Sequence, residues 1–174
     1  MTLAGLKPTR ACNAPLSLEH DEIARRIPHQ GSMCLLERVT AWDNNQIACE
    51  ASSHRIAGNP LRAHGRLGAA CGIEYAAQAM AVHGALIAET AAGTRENHTA
   101  TGDAAPFGYL VSVRGVTLHV ERLDDIKPAL TIHAERMSGD AGSILYGFTV
   151  HAGPALLLSG RAVVMLDALS RETA

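Results

Sequence analysis

The sequence has no uninterrupted apolar run of about 18 residues, the length a membrane-crossing helix needs. No membrane span is expected. It also lacks an excess of either charge, because 15 basic side chains stand against 17 acidic ones, for a net charge of −2 and a pI near 6.5. Without a basic stripe there is nothing to track a phosphate backbone, so nucleic acid is not an expected partner. The four cysteines, Cys12, Cys34, Cys49 and Cys71, are far apart and form no CxxC pair. The opening "MTLAGLKPTRACNAPLS" lacks the continuous apolar segment of a signal peptide. A cytoplasmic protein with reduced thiols is the expectation. Nine histidines are present, yet there is no HExxH and no close His/Cys cluster, so neither a metal nor another cofactor is expected.

What is present suits one globular domain. The chain has 174 residues, with 47% hydrophobic and 18% charged side chains, enough for a single core. The expected organisation is a flexible N-terminal segment over 1–16, one domain over 17–166 and a C-terminal tail over 167–174. Ser17 offers an N-cap to "LEHDEIARRI", whose Glu19, Asp21 and Glu22 suit a first turn, and Pro28 ends this short helix. The stretch "MCLLERVTAWDNNQIACEAS" predicts a β-hairpin turning at Asp43-Asn44-Asn45, with Ile47, Cys49 and Ala51 alternating with polar neighbours. Residues 52–67 have no apolar period and predict a long loop, of the kind that often carries function.

From Gly68 to about Glu89 the sequence predicts a helix that is apolar nearly all the way round, and therefore wrapped by protein. A polar linker follows over 91–106, then four strand-like runs at 109–121, 129–137, 143–151 and 155–166, with turns at 139–142 and Gly153-Pro154. These runs are expected to be antiparallel neighbours. The order predicts an α+β fold in which one antiparallel sheet wraps around one long helix. Such a sheet leaves edges to protect, so pairing into a dimer is expected.

Three stretches resemble the hotdog-fold 3-hydroxyacyl-acyl carrier protein dehydratases of fatty-acid and polyketide synthesis. "IPHQGSMCLLERV", residues 27–39, is similar without gaps to that family's LPHRYPFLLVDRV, matching Pro28, His29, Leu35, Arg38 and Val39. "GIEYAAQAM", residues 72–80, resembles LILEAMAQ, which sets Glu74 on the family's catalytic carboxylate and Gln78 on its glutamine. "GYLVSVRGVTLHVERLDDIKPALTIHAER" follows the family's central strands. The family's active-site histidine lies in GHFPGHPVMPG, and its gapless equivalent here is Pro60, while His64 falls on the second histidine of that motif. This pattern resembles a divergent branch of dehydratases from aryl-polyene and related polyketide pathways.

The resemblance implies removal of water from a 3-hydroxyacyl thioester, carried by an acyl carrier protein or by CoA, to give a trans-2-enoyl thioester. That reaction needs a base for the α-hydrogen, an acid for the departing hydroxyl and donors for the thioester oxygen. Glu74 is the candidate acid and His64 the candidate base, with His54 second choice. Gly68, Ala69 and Gly72, at the helix start, are candidates for binding the thioester, together with Gln78 and His29. A narrow cleft at a dimer interface is expected to bring Glu74 to a histidine. Plainer explanations stand beside these. Glu74 could be an acid at a helix start paired with Arg62 or Arg66, Gln78 a core amide, His29 an anchor and Cys71 a core side chain. The alternatives for the whole chain are an acyl thioesterase, or a non-catalytic or half-site subunit that completes a heterodimer with a homologous hotdog protein. An active hotdog site is assembled across a dimer, so a subunit giving only the carboxylate would still be required.

Overall fold

The protein is seen as a computed structural model in which residues 17–93, 108–140 and 142–166 are described. The segments expected at 1–16 and 167–174, and most of the linker expected at 91–106, lie outside the described residues. The chain order is β1 (Leu18–Glu19), α1 (His20–Ala24), β2 (Arg38–Trp42), β3 (Gln46–Ala51), α2 (Gly72–Gly93), β4 (Gly108–Leu118), β5 (Leu130–Gly139), β6 (Ser143–Ala152) and β7 (Ala155–Leu166). Seven strands form one antiparallel sheet in the order β1-β2-β3-β5-β6-β7-β4.

Local chemistry explains most of the elements. The β2–β3 turn forms where expected, because the Asp43 carboxylate accepts the N–H groups of Asn45 at 2.7 Å and Gln46 at 3.1 Å. Asp140 closes the β5–β6 turn in the same way, accepting from Gly142 and Ser143. The first helix is shorter than expected and is capped by Glu19 rather than Ser17. The Glu19 N–H donates to the Glu22 carboxylate at 3.0 Å, one half of a capping box. The second helix proper starts at Gly72, after a 3₁₀ turn over Ala69–Cys71. One pairing differs from the expected run of neighbours. β4 lies at the far edge of the sheet beside β7, and β5 joins β3 instead.

The core lies between α2 and the concave face of the sheet. Tyr75, Ala76, Ala79, Met80, Val82 and Leu86 of the helix pack among Ile132, Ala134, Tyr146, Phe148 and Val150 of β5 and β6. The start of the helix sits so close to β7 that a Cβ on Gly72 would lie 2.2 Å from Leu158 Cδ2. Further along, the buried His83 donates from Nε2 to the Asp43 carbonyl at 2.7 Å and accepts the Tyr146 hydroxyl at Nδ1, 3.0 Å away. That histidine ties helix, hairpin turn and sheet together. Burial pushes its pKa down and pushes the Tyr146 phenol up to about 12.

Candidate functional site

The loop after α1 lies against the first turns of α2, and Gln78 holds it there. This side chain is fully buried. Its Oε1 accepts the Leu35 N–H at 2.8 Å, while Nε2 donates to the Met33 carbonyl at 2.8 Å and to Glu74 Oε1 at 2.9 Å. An amide has one acceptor and two donors, and all three are used. Gln78 is thus a core amide, yet it also orients the carboxylate one turn before it.

Glu74 stands in the first turn of α2 with its side chain 30% exposed. His29 Nε2 lies 3.1 Å from the same Oε1 that Gln78 reaches. Oε1 thus accepts one hydrogen bond, from Gln78, and has the His29 imidazole within ion-pair distance, while Oε2 has no hydrogen-bond partner among the described residues. A proton added to this carboxyl group sits on Oε2, since Oε1 is already accepting. The His29 ring is 29% exposed, and its Nδ1 is buried and without a hydrogen-bond partner.

The two arginines offered as the plainer partners of Glu74 are engaged elsewhere. Arg62 contacts Asp124 at 3.4 Å and the carbonyls of Ile56 and Gly65 at 3.0 and 3.1 Å, while Arg66 faces Glu121 at 3.9 Å. Asp124 accepts from Arg122 and from the Leu67 N–H, and the Arg122 guanidinium holds its carboxyl well below the usual carboxylate range. This network anchors the end of the 52–67 loop just before α2.

The other expected site residues have varied places. His64 is exposed, with φ +52°, in the tight turn where Ala63 and Arg66 bond to each other. His54 is fully buried and donates from Nε2 to the Ile126 carbonyl at 3.0 Å, and burial lowers its pKa. Neither is bonded to Glu74 in this chain; the histidine beside Glu74 is His29. Gly72 gives no open approach because Leu158 fills the space above it. Gly68 is open, with nothing within 4 Å of where a Cβ would be. The Ala69 side chain is buried and its N–H donates to Glu121, while the N–H groups of Cys71 and Gly72 bond within the 3₁₀ turn. Among the described residues, Gly68 and Ala70 are the amides left for a substrate oxygen in this stretch.

A second network behind this loop has no signature in the sequence. The Tyr75 hydroxyl donates to Ser53 Oγ at 2.9 Å, Ser53 donates to the Leu35 carbonyl at 2.7 Å, and Asn59 donates to the Tyr75 oxygen at 3.0 Å. Leu35 is thus bonded on both sides, by Gln78 and by Ser53. A cavity of about 320 Å³ opens beside it, lined by Gly31, Leu36, Ser52, Ile56 and Pro60 among others, and it does not include Glu74. No group of three His, Cys, Asp or Glu side chains is placed to hold a metal among the described residues. No described helix is long and apolar enough to cross a membrane.

A single antiparallel sheet curved around one long helix defines a hotdog fold. The chain matches the ApeP-like family, described as ApeP dehydratase, over residues 21–172, and it belongs to that family. Solved structures agree on the fold. A chain of the dehydratase heterocomplex ApeI:P from Xenorhabdus doucetiae superposes with a TM-score of 0.71 at 21% identity, covering 85% of this chain and 92% of that one. A thioesterase from Haemophilus influenzae superposes with a TM-score of 0.59 at 9% identity, covering 90% and 96%. A hypothetical thioesterase with coenzyme A from Streptococcus pneumoniae gives 0.51 at 8%, covering 74% and 84%. No curated protein sequence matches the chain.

Proposed function

We propose that this chain is the carboxylate-donating subunit of a two-subunit dehydratase that removes water from 3-hydroxyacyl thioesters. The observation that carries this reading is the state of Glu74: Oε1 accepts from Gln78 and faces His29, Oε2 has no hydrogen-bond partner among the described residues, and neither His54 nor His64 is bonded to it. Pro60 occupies the position of the family's histidine, so the base comes from a homologous hotdog subunit. The Xenorhabdus doucetiae relative is a heterocomplex, which fits such an arrangement. The edge strand β4 supports a partner too. It bonds on one side only among the described residues and presents Tyr109, 60% exposed, and Val111, 54% exposed.

In the proposed reaction the partner's imidazole takes the α-hydrogen while Glu74 Oε2–H protonates the 3-hydroxyl. The C–O bond breaks, water leaves, and the electron pair of the C–H bond forms the 2,3-double bond. Charge gathering on the thioester oxygen meets the amides of Gly68 and Ala70 near the helix start. The imidazolium then returns its proton to the Glu74 carboxylate. Gln78 and His29 position the acid. The acyl group is carried by an acyl carrier protein in this proposal.

The test is water loss from a 3-hydroxyacyl carrier-protein thioester, by the protein alone and with a homologous hotdog subunit that has an intact Gly-His-Phe-Pro-Gly motif. Turnover is expected only with the partner, falling about 10²-fold or more for Glu74→Gln and no more than a few fold for His64→Ala. Turnover by the protein alone that collapses in His64→Ala would replace this reading with a self-sufficient homodimer. No turnover under either condition overturns it.

A further inference from the structure

The outer face of the sheet carries a charge arrangement that the proposed chemistry does not use. Arg114 of β4 and Arg161 of β7 are direct cross-strand partners. Their inward neighbours Val113, Val116 and Ala162 belong to or pack against the core, so both arginines face outward. Like charges placed opposite each other in a sheet repel. Neither arginine has a carboxylate within ion-pair distance among the described residues, although Arg26, Arg38, Arg62, Arg66 and Arg122 all have one.

The backbone brings the two charges still closer to the sheet edge. Pairing between β4 and β7 slips between Arg114 and Thr117, where Gly115 takes φ +58°. A Cβ on Gly115 would lie 3.6 Å from Arg161 Nη2, so the guanidinium of the inner strand rests over the edge strand. Behind it, a groove of about 410 Å³ runs inward between Glu135, Gly147, Thr149 and Ser159.

This edge cannot easily take a copy of itself. In an antiparallel pair of β4 strands centred on Val113, the middle of Gly108–Leu118, Arg114 falls opposite Ser112 of the copy. The two Arg114 side chains then share a face as diagonal neighbours, about 7–8 Å apart. Each has an Arg161 one strand behind it, so four guanidinium groups crowd around the two-fold axis. A partner strand carrying carboxylates in those places turns the repulsion into two ion pairs.

We infer that the Arg114–Arg161 pair selects the partner, disfavouring a second copy of this chain and favouring a hotdog subunit whose edge strand presents aspartate or glutamate opposite Arg114. This rests on the two-subunit reading above and names the side chains that enforce it. Neither arginine belongs to the catalytic site, so both can be changed without touching Glu74.

The experiment needs only this chain as its first probe. Sedimentation is measured for the wild type, for R114E/R161E and for their equal mixture, at low and high salt, after circular dichroism shows that the variant is folded. The mixture is expected to associate at least about 10-fold more tightly than either protein alone at low salt, with the gain lost at high salt. The neutral variant R114Q/R161Q is expected to self-associate several fold more tightly than the wild type. A wild-type homodimer as tight as the mixture and indifferent to salt overturns the inference. In a second arm, a homologous hotdog subunit with an intact histidine motif is titrated with wild type and with R114E/R161E. Loss of binding by the variant supports the inference. Equal binding of both overturns it while the two-subunit reading stands, and binding of neither removes that reading and the inference with it.

Discussion

Replacing Gln78 with leucine tests the joint between fold and site. The substitution keeps the approximate size of a fully buried side chain and deletes three hydrogen bonds, to the Leu35 N–H, the Met33 carbonyl and Glu74 Oε1. The Leu35 amide then has no acceptor, in a residue that is 1% exposed. An orphaned buried backbone group costs about 1–3 kcal/mol, and here the buried Leu35 donor is orphaned while the carbonyl of Met33, an exposed residue, can turn to water, partly offset by the better burial of leucine. The expected loss is about 2 kcal/mol, or roughly 4–8 °C in melting temperature for a domain of this size. Urea unfolding followed by circular dichroism reads it directly. Gln78→Glu sharpens the test, because a carboxylate there still accepts from Leu35 but faces Glu74 at close range. Repulsion raises the pKa of that pair in the folded state above its unfolded value. Its contribution is therefore complete at low pH and is lost as pH rises through the folded pKa. This variant is expected to be closer to wild type at pH 5 than at pH 8. A Gln78→Leu protein within about 0.5 kcal/mol of wild type would refute the clamp.

Three further outcomes follow from the packing and the buried histidines. His54 and His83 are both buried with pKa values lowered from the usual 6.5, so the unfolded chain binds protons there that the folded chain refuses. Stability is then level above about pH 7 and falls below about 6.5, by up to about 1.4 kcal/mol per pH unit for each histidine; a flat urea midpoint from pH 7 to pH 5 contradicts it. The carboxyls held low, Glu37, Asp43, Asp124 and Asp140, lose their contributions only at more acidic pH, so the two effects separate on the pH axis. Gly72→Ala drives a methyl group into Leu158 Cδ2 and is expected to cost about 1–3 kcal/mol, part of it recovered in Gly72→Ala/Leu158→Val; no recovery in the double-mutant cycle means that Leu158 is not the obstacle. Tyr75→Phe breaks the chain of hydroxyls through Ser53 to Leu35 and leaves an Asn59 donor unmet. Thermal melting is expected to show a loss of about 1–2 kcal/mol, and an unchanged melting temperature argues against that network.

The sequence by itself determined the elements whose causes are local. Alternation in Ile47, Cys49 and Ala51 and in Leu130, Ile132 and Ala134 follows from a sheet buried on one face, and Asp43 and Asp140 make their turns with atoms two or three residues away. An apolar helix among strands left only a sheet wrapped around it, and Glu74 and Gln78 stood out because a buried helix does not keep polar groups without a use for them. What tertiary structure decided was every partner distant in the chain. No local signal says that β4 crosses to β7, that Arg161 rests over Gly115, or that Arg62 pairs with Asp124. The histidine at Glu74 was the sharpest case. The resemblance to the family's histidine motif pointed to His64, yet the loop after α1 folds back and brings His29 to 3.1 Å. Gln78 holds that loop through bonds to backbone groups of Met33 and Leu35, and every residue has those groups. The side chains of Met33 and Leu35 therefore carry no signal of this contact, and only the folded chain shows which N–H and C=O meet the amide.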